Sequence, residues 1–364
     1  TLNMDMLRTF FEKTPEDTSK YFKDKKIWQA GEKYTSQQGK YPVIFLSLKD
    51  ANKDNWQDLY SRLKATITDE FLRHKELKKS TRLSNTAFYE KIIAGTGNIT
   101  DYATSLLRLS QMLHEHYRQQ PIIIIDEYDT PIQAGYINGF YEQAIQFIRD
   151  LFSSALKDNP HIAFGFLTGI LRVAKESIFS GLNNINVNSL LERRYSDYFG
   201  FTTEEVQTMA TYYQADDKMS ELQEWYDGYK FGNTEIYNPW SVLKYFNNYC
   251  EAEPYWVQTS ANSTIREIIK GLDASTCENL HALLNGSAVE SIVDTSIIYP
   301  KLKEQQTNIF GFLLMTGYLK SIKTTRANGI CLCELSIPNK EIQSVYSQEI
   351  VALLADQIDS TQKP

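Results

Sequence analysis

The chain has 364 residues, a length that suits two or three domains better than one hydrophobic core. Its composition, 42% hydrophobic, 23% charged and 13% aromatic, excludes extensive disorder, and no apolar run reaches the roughly 18 residues of a membrane-spanning helix. A formal charge of −7 excludes a chain that is basic throughout, so any contact with nucleic acid needs a local basic face.

The first residues, TLNMDMLRTFFEK, repeat Leu2, Met6, Leu7, Phe10 and Phe11 at helical spacing, so the chain opens in a helix. The run PVIFLSLKD at 42–50 is nearly all apolar at its start, as a strand buried on both faces of a parallel sheet should be. Helices are expected over 55–76, 86–94 and 104–120, and the last of these leads into a second buried strand in PIIIIDEYD. Another helix at 140–157 aligns Ala144, Ile148, Leu151, Phe152 and Ala155, stops at Asn159 and Pro160, and is followed by a third buried strand in HIAFGFLTG. Strands and helices alternating in this way predict an α/β fold with a parallel, doubly wound sheet.

Beyond residue 200 the pattern turns mostly helical. FTTEEVQTMATYY opens on a helix start signal, and ELQEWYDGYKFG ends in turn residues. FGFLLMTGYL reads as a helix followed by a hairpin with its turn at Arg326, Ala327, Asn328 and Gly329, which is how a winged-helix module ends. A final helix from Glu341 is expected to link into a further domain. The expected divisions are 1–200 for the α/β core, 201–300 for a helical, aromatic-rich unit, and 301–364 for the winged-helix-like end.

Asp126 and Glu127 stand at the C-terminal end of a buried strand, where open α/β sheets place their ligand crevices. In P-loop ATPases an aspartate there holds the Mg²⁺ that bridges the β- and γ-phosphates, and an adjacent glutamate activates the attacking water. The competing reading is that both acids merely open a polar loop. Asp129 reads as a turn residue. Thr168 ends the next strand, where such ATPases place a polar residue between the metal aspartate and the γ-phosphate. Arg172 and Lys175 follow, and a cation from this region would neutralise charge on the transferred phosphoryl group, with a solvated helix face as the alternative. Arg193 and Arg194 are further arginine-finger candidates.

Other residues carry less chemistry. Cys250, Cys277, Cys331 and Cys333 form no CxxC pair, so free thiols and a cytoplasmic, reducing compartment are expected. His114 and His116 lack the spacing of a zinc helix, and His74, His161 and His281 stand isolated. Trp225, Tyr226, Tyr229, Tyr237 and Trp240 read as a packed aromatic cluster rather than a base-stacking surface. The basic stretch at 73–83 reads as a solvated helix end.

With TLNMDMLRTFFE, YPVIFLSLKD, PIIIIDEYDTPI, FLTGILRVAKESIFSGLNNI, DYFGFTTEEV, WYDGYKFG, IYNPWSVL and ELSIPNKEI in this order, the chain resembles the bacterial AAA-ATPase-like family. These are large P-loop proteins, related to STAND and archaeal ATPases, that often carry a C-terminal PD-(D/E)xK nuclease-like domain. The resemblance implies ATP and Mg²⁺ as ligands and maps Thr1 onto the final hydroxyl of the phosphate-binding loop. The loop's glycine and lysine are not in the sequence, so the chain by itself is expected to bind ATP poorly. The intact protein is expected to carry that loop, with the first sheet strand, upstream of Thr1.

Three functions compete. The first is an ATP-driven switch in which nucleotide state controls a winged-helix end and a nuclease-like domain beyond Pro364. The second is a non-catalytic module with a vestigial nucleotide site, binding DNA or a protein partner through the winged-helix-like end, where Lys320, Lys323 and Arg326 lie. The third, that this chain is itself a nuclease, lacks a carboxylate and lysine cluster on a core of sufficient length.

Overall fold

A computed structural model describes residues 1–170, 185–256, 273–294, 299–301, 306–328 and 330–347. The chain divides into two units, Thr1–Ile185 and Asn186–Pro364.

The first unit is built on three parallel strands, β1 (Val43–Ser47), β2 (Ile122–Asp126) and β3 (Phe164–Leu167), ordered β1-β2-β3. Val43 pairs with Ile122 and Ser47 with Asp126, while Ile122 pairs with Phe164 and Ile125 with Leu167. The β-branched run of isoleucines suits a pleated strand covered on both faces, and all of β2 is buried. Alternation along the strands divides the apolar side chains between two faces. Val43, Ile122 and Ile124 meet Met4 of α1 (Leu2–Phe11), with Leu7, Phe11, Phe45 and Phe166 half-buried around them. The opening helix is present, but its inner stripe runs through Met4 and Phe10, and Leu2 and Met6 are exposed.

The other expected helices of this unit form with trimmed ends: α2 (Trp56–Arg73), α3 (Ala87–Ile93), α4 (Ser105–Tyr117) and α6 (Tyr141–Leu156). Asn55 caps α2 by accepting the Asp58 N–H, and a 3₁₀ turn at Lys75–Lys79 replaces the end of the predicted helix. All five aligned residues of α6 are buried. A helix not foreseen, α5 (Thr130–Ile137), starts directly after the acidic segment, with Pro131 in its first turn.

The outer edge of β1 is closed by side chains of α2. Glu70 accepts the Phe45 N–H at 2.8 Å, and His74 Nε2 lies 3.1 Å from the Val43 carbonyl, which also accepts from Arg73. Edge backbone groups are thereby satisfied without a further strand. The third strand differs from the expectation of burial: Phe164 is 59% exposed and the rest of β3 is half-buried. Among the described residues β3 pairs on one side only, which leaves its other flank uncovered.

The second unit begins its regular structure with α7 (Thr203–Tyr212), whose start is a reciprocal capping box between Thr202 and Glu205. Then come α8 (Met219–Tyr226), a short hairpin of β4 (Tyr229–Phe231) and β5 (Thr234–Ile236), and α9 (Pro239–Asn247), capped by Asn238. Tyr226, Tyr237 and Tyr245 are buried with Val206, Leu222 and Val242, so part of the predicted aromatic cluster is core. Trp225 packs against it half-buried, whereas Trp240 is exposed. Following α10 (Ala274–Leu284), the antiparallel strands β6 (Val289–Ile292), β7 (Lys320–Ala327) and β8 (Ile330–Ser336) form a sheet in the order β6-β8-β7, with α11 (Gln306–Met315) preceding β7. The predicted helix and hairpin are both present. Asn328, directly after β7, takes φ +52°, in the left-handed region that asparagine tolerates. Strand β6, absent from the sequence reading, joins the hairpin from the other side of residue 300. No helix among the described residues is long and apolar enough to cross a membrane.

Candidate functional site

Parallel pairing brings the C-terminal ends of β1, β2 and β3 to one edge of the sheet. Asp126, the last residue of β2, is 1% exposed, and its Oδ2 has no hydrogen-bond partner. The backbone nitrogen of Thr1 lies 3.6 Å from that oxygen, so the N-terminus of α1 points at the carboxylate. Thr1 is the N-cap of α1 and makes no side-chain capping bond. Ser47, the register partner of Asp126, also has a buried, unpartnered hydroxyl.

Glu127 follows with φ +54°, in the left-handed region that turns the chain sharply out of the strand. Its carboxylate accepts a 3.4 Å bond from the Thr130 hydroxyl. Burial, with Asp126 adding to it, pushes the Glu127 carboxyl above its ordinary pKa, while Thr130 and Lys49 pull the other way. Asp129 is buried as the N-cap position of α5. A side chain at Gly169 would come within 2.5 Å of Asp129 Oδ1 and 2.7 Å of the Tyr128 ring. Glycine at that position lets the end of β3 approach the acidic loop.

Thr168 follows Leu167, the register partner of Ile125, and therefore stands across from Asp126. Its N–H donates to the Ile125 carbonyl and its carbonyl accepts the Tyr128 N–H. Thr1, Asp126, Glu127 and Thr168 thus share one edge of the sheet. Arg172 and Lys175 lie outside the described residues. Arg193 and Arg194 are exposed residues of the second unit, with Arg194 over the Tyr195 ring.

Sequence reasoning missed Ser47 and Lys49. Both lie in the recognised β1 segment, but only the β1–β2 register shows which of its residues face Asp126. Leu48 donates its N–H to the Asp126 carbonyl and accepts the Ala51 N–H, so Lys49 sits in a turn fixed against the acidic strand end. Sequence also left His114 and His161 apart, yet their Nδ1 atoms are 3.2 Å from each other.

A buried carboxylate oxygen without a donor, beside a buried hydroxyl, suits a hard cation such as Mg²⁺, which takes oxygen ligands and retains several waters. The donor set fits that ion with Asp126 as its protein anchor. Among the described residues no three His, Cys, Asp or Glu side chains gather as a metal cage.

Residues 1–179 match the family model described as AAA-ATPase-like, "Predicted AAA-ATPase". An "Uncharacterized protein in vnfD 5′ region" from Azotobacter chroococcum mcd 1 is 24% identical over 244 residues. That alignment covers 67% of this chain and 45% of the relative, so the matched region spans less than half of the longer protein. The buried parallel strand that ends in Asp126, with Glu127 directly after it, and the opening helix aimed at it lie within the matched residues: residues 1–179 of the chain belong to the AAA-ATPase-like family.

Proposed function

We propose that the protein is a nucleotide-dependent switch ATPase, hydrolysing ATP to ADP and phosphate at the C-terminal edge of the β1-β2-β3 sheet. The observation that carries this reading is the buried Asp126 Oδ2, which accepts no hydrogen bond and has the Thr1 nitrogen 3.6 Å away, with Glu127 next in the chain. Asp126 would hold Mg²⁺, and the Thr1 hydroxyl would be its second ligand. The ion, when bound, neutralises charge on the β- and γ-phosphates. The N-terminus of α1 favours an anion at the same place through its dipole.

Glu127 is the general base on this reading. Its partial burial keeps the carboxylate basic, and the Thr130 hydroxyl orients it. Thr168 orients the γ-phosphate from the neighbouring strand, and Arg172 enters from the sequence alone as the charge-neutralising cation. Coupling to a winged-helix-like end and to a nuclease-like domain is the switch part of the proposal; it draws on the family resemblance and on the hairpin of β7 and β8.

Glu127→Gln in the full natural protein should reduce turnover by at least a hundredfold while Mg·ATP binding persists. Undiminished turnover would sink the role of Glu127.

The second reading, a DNA- or protein-binding module, has one observation in its favour: residues 322–327 of β7 are exposed. Arg326, however, already pairs with Glu192 at 3.1 Å. A DNA affinity that falls with salt and is lost on neutralising Lys320 and Lys323 would favour this reading.

A further inference from the structure

Beside the candidate nucleotide site an open cleft of about 390 Å³ is lined by Lys49, Asp50, Asn52, Lys53 and Arg62. We infer that this cleft is a phosphate-binding subsite in which Lys49 and Lys53 contact the terminal phosphoryl group, and the inference rests on the nucleotide reading above for its location.

Charge and rigidity both support it. Three cations face one carboxylate, and that carboxylate, Asp50, is engaged by Arg62 at 2.6 Å. Lys49 and Lys53 have no carboxylate within ion-pair distance among the described residues. An anion in the cleft therefore meets two ammonium groups that form no ion pair with an acid among the described residues.

The segment carrying them is held at several points. The Leu48 N–H binds the Asp126 carbonyl at 2.9 Å, the Ala51 N–H closes the turn onto Leu48 at 2.9 Å, and Asn138 Nδ2 donates to the Lys53 carbonyl at 3.2 Å. Asn55 then caps α2. The backbone at Lys49 is thereby held at the edge where Asp126 and Glu127 stand, and its side chain is exposed.

The phosphate has two sources to distinguish, the γ-position of bound ATP or free pyrophosphate, and one experiment separates them. Calorimetric titration of the full natural protein with Mg·ATP, Mg·ADP and pyrophosphate is compared with Lys49→Ala, Lys53→Ala and Lys49→Arg. Occupancy by the nucleotide predicts tighter binding of ATP than of ADP, a preference reduced at least tenfold in Lys49→Ala and largely restored in Lys49→Arg. Affinity for ADP should change less than twofold. If wild type discriminates ATP from ADP and both alanine variants do so equally, the subsite is overturned while the nucleotide reading stands. If wild type binds neither nucleotide, the ATPase reading fails by itself. The cleft then stands on pyrophosphate alone, supported by tenfold weakening in the alanine variants and overturned by unchanged or absent binding.

Discussion

Glu127 occupies the left-handed backbone region, φ +54°, without being glycine. Such a conformation costs about 1–2 kcal/mol for a residue with a Cβ, and functional sites are where such strain persists. Glu127→Gly is expected to raise unfolding stability by roughly 1 kcal/mol in denaturant titration while abolishing turnover. A loss of stability instead would show that the Glu127–Thr130 contact outweighs the strain. In the second unit, Glu341 is a buried carboxyl that accepts the Ser241 hydroxyl at 2.9 Å and the Trp256 N–H at 2.7 Å. Burial pushes its pKa up to about 7 from an ordinary 4.5, against those hydrogen bonds. The folded state therefore holds the proton more tightly than the unfolded state, so its contribution is greatest below about pH 4.5 and is lost as pH rises to about 7. Glu341→Gln should flatten that loss, with a gain over wild type at pH 8 on the order of 3 kcal/mol and little gain at pH 4, read from denaturation midpoints.

At the scale of elements, the outer edge of β1 depends on one charged cluster of α2. Glu70 bonds the Phe45 N–H and pairs with Arg73 at 2.7 Å, and Arg73 reaches Glu12 beyond α1. Removing one member of a buried ionic network leaves the others uncompensated. Glu70→Ala is accordingly expected to destabilise the protein by about 3–5 kcal/mol. Burial opposes the charge on His74, but Glu70 and Glu76 outweigh it and hold the imidazole pKa above 6.5. That contribution is complete below pH 6.5 and fades as pH rises through the raised value, so the Glu70→Ala penalty should be larger at pH 6 than at pH 9. Equal penalties would place the stabilisation in the Phe45 and Arg73 bonds alone. The two conspicuous words of the second unit, WYDGYKFG and ELSIPNKEI, are likewise a structural joint. Asn339 donates to the Asp227 carbonyl at 2.8 Å, and Gly228, φ +95°, leaves a Cβ only 2.2 Å from the Pro338 carbonyl, so no side chain fits there.

For the whole molecule, ligand linkage is the most direct test of the family assignment. A ligand at a hundredfold excess over its Kd adds about 2.7 kcal/mol to the stability of the state that binds it. Mg·ATP should raise the melting temperature of the full natural protein by several degrees, Glu127→Gln should keep the shift, and Asp126→Ala should lose most of it. A shift that survives Asp126→Ala would move the metal away from the end of β2.

The sequence by itself determined the local features of this protein. Four isoleucines before two acids specify a buried strand with carboxylates at its end, the apolar stripe of α6 specifies its inner face, and the Thr202 to Glu205 spacing specifies a helix start. These signals are short-range, because helix and strand periods and caps act over a few residues. Tertiary structure alone decided that Thr1, Ser47, Asp126 and Thr168 share one edge, that β3 is half exposed, and that His114 meets His161. Pairing of parallel strands joins residues 40 to 80 positions apart through crossover helices, as Ser47 to Asp126 does here. No periodicity encodes that register. It follows from which apolar faces bury one another, and so the neighbours of Asp126, including Lys49 and its cleft, became legible only in the folded chain.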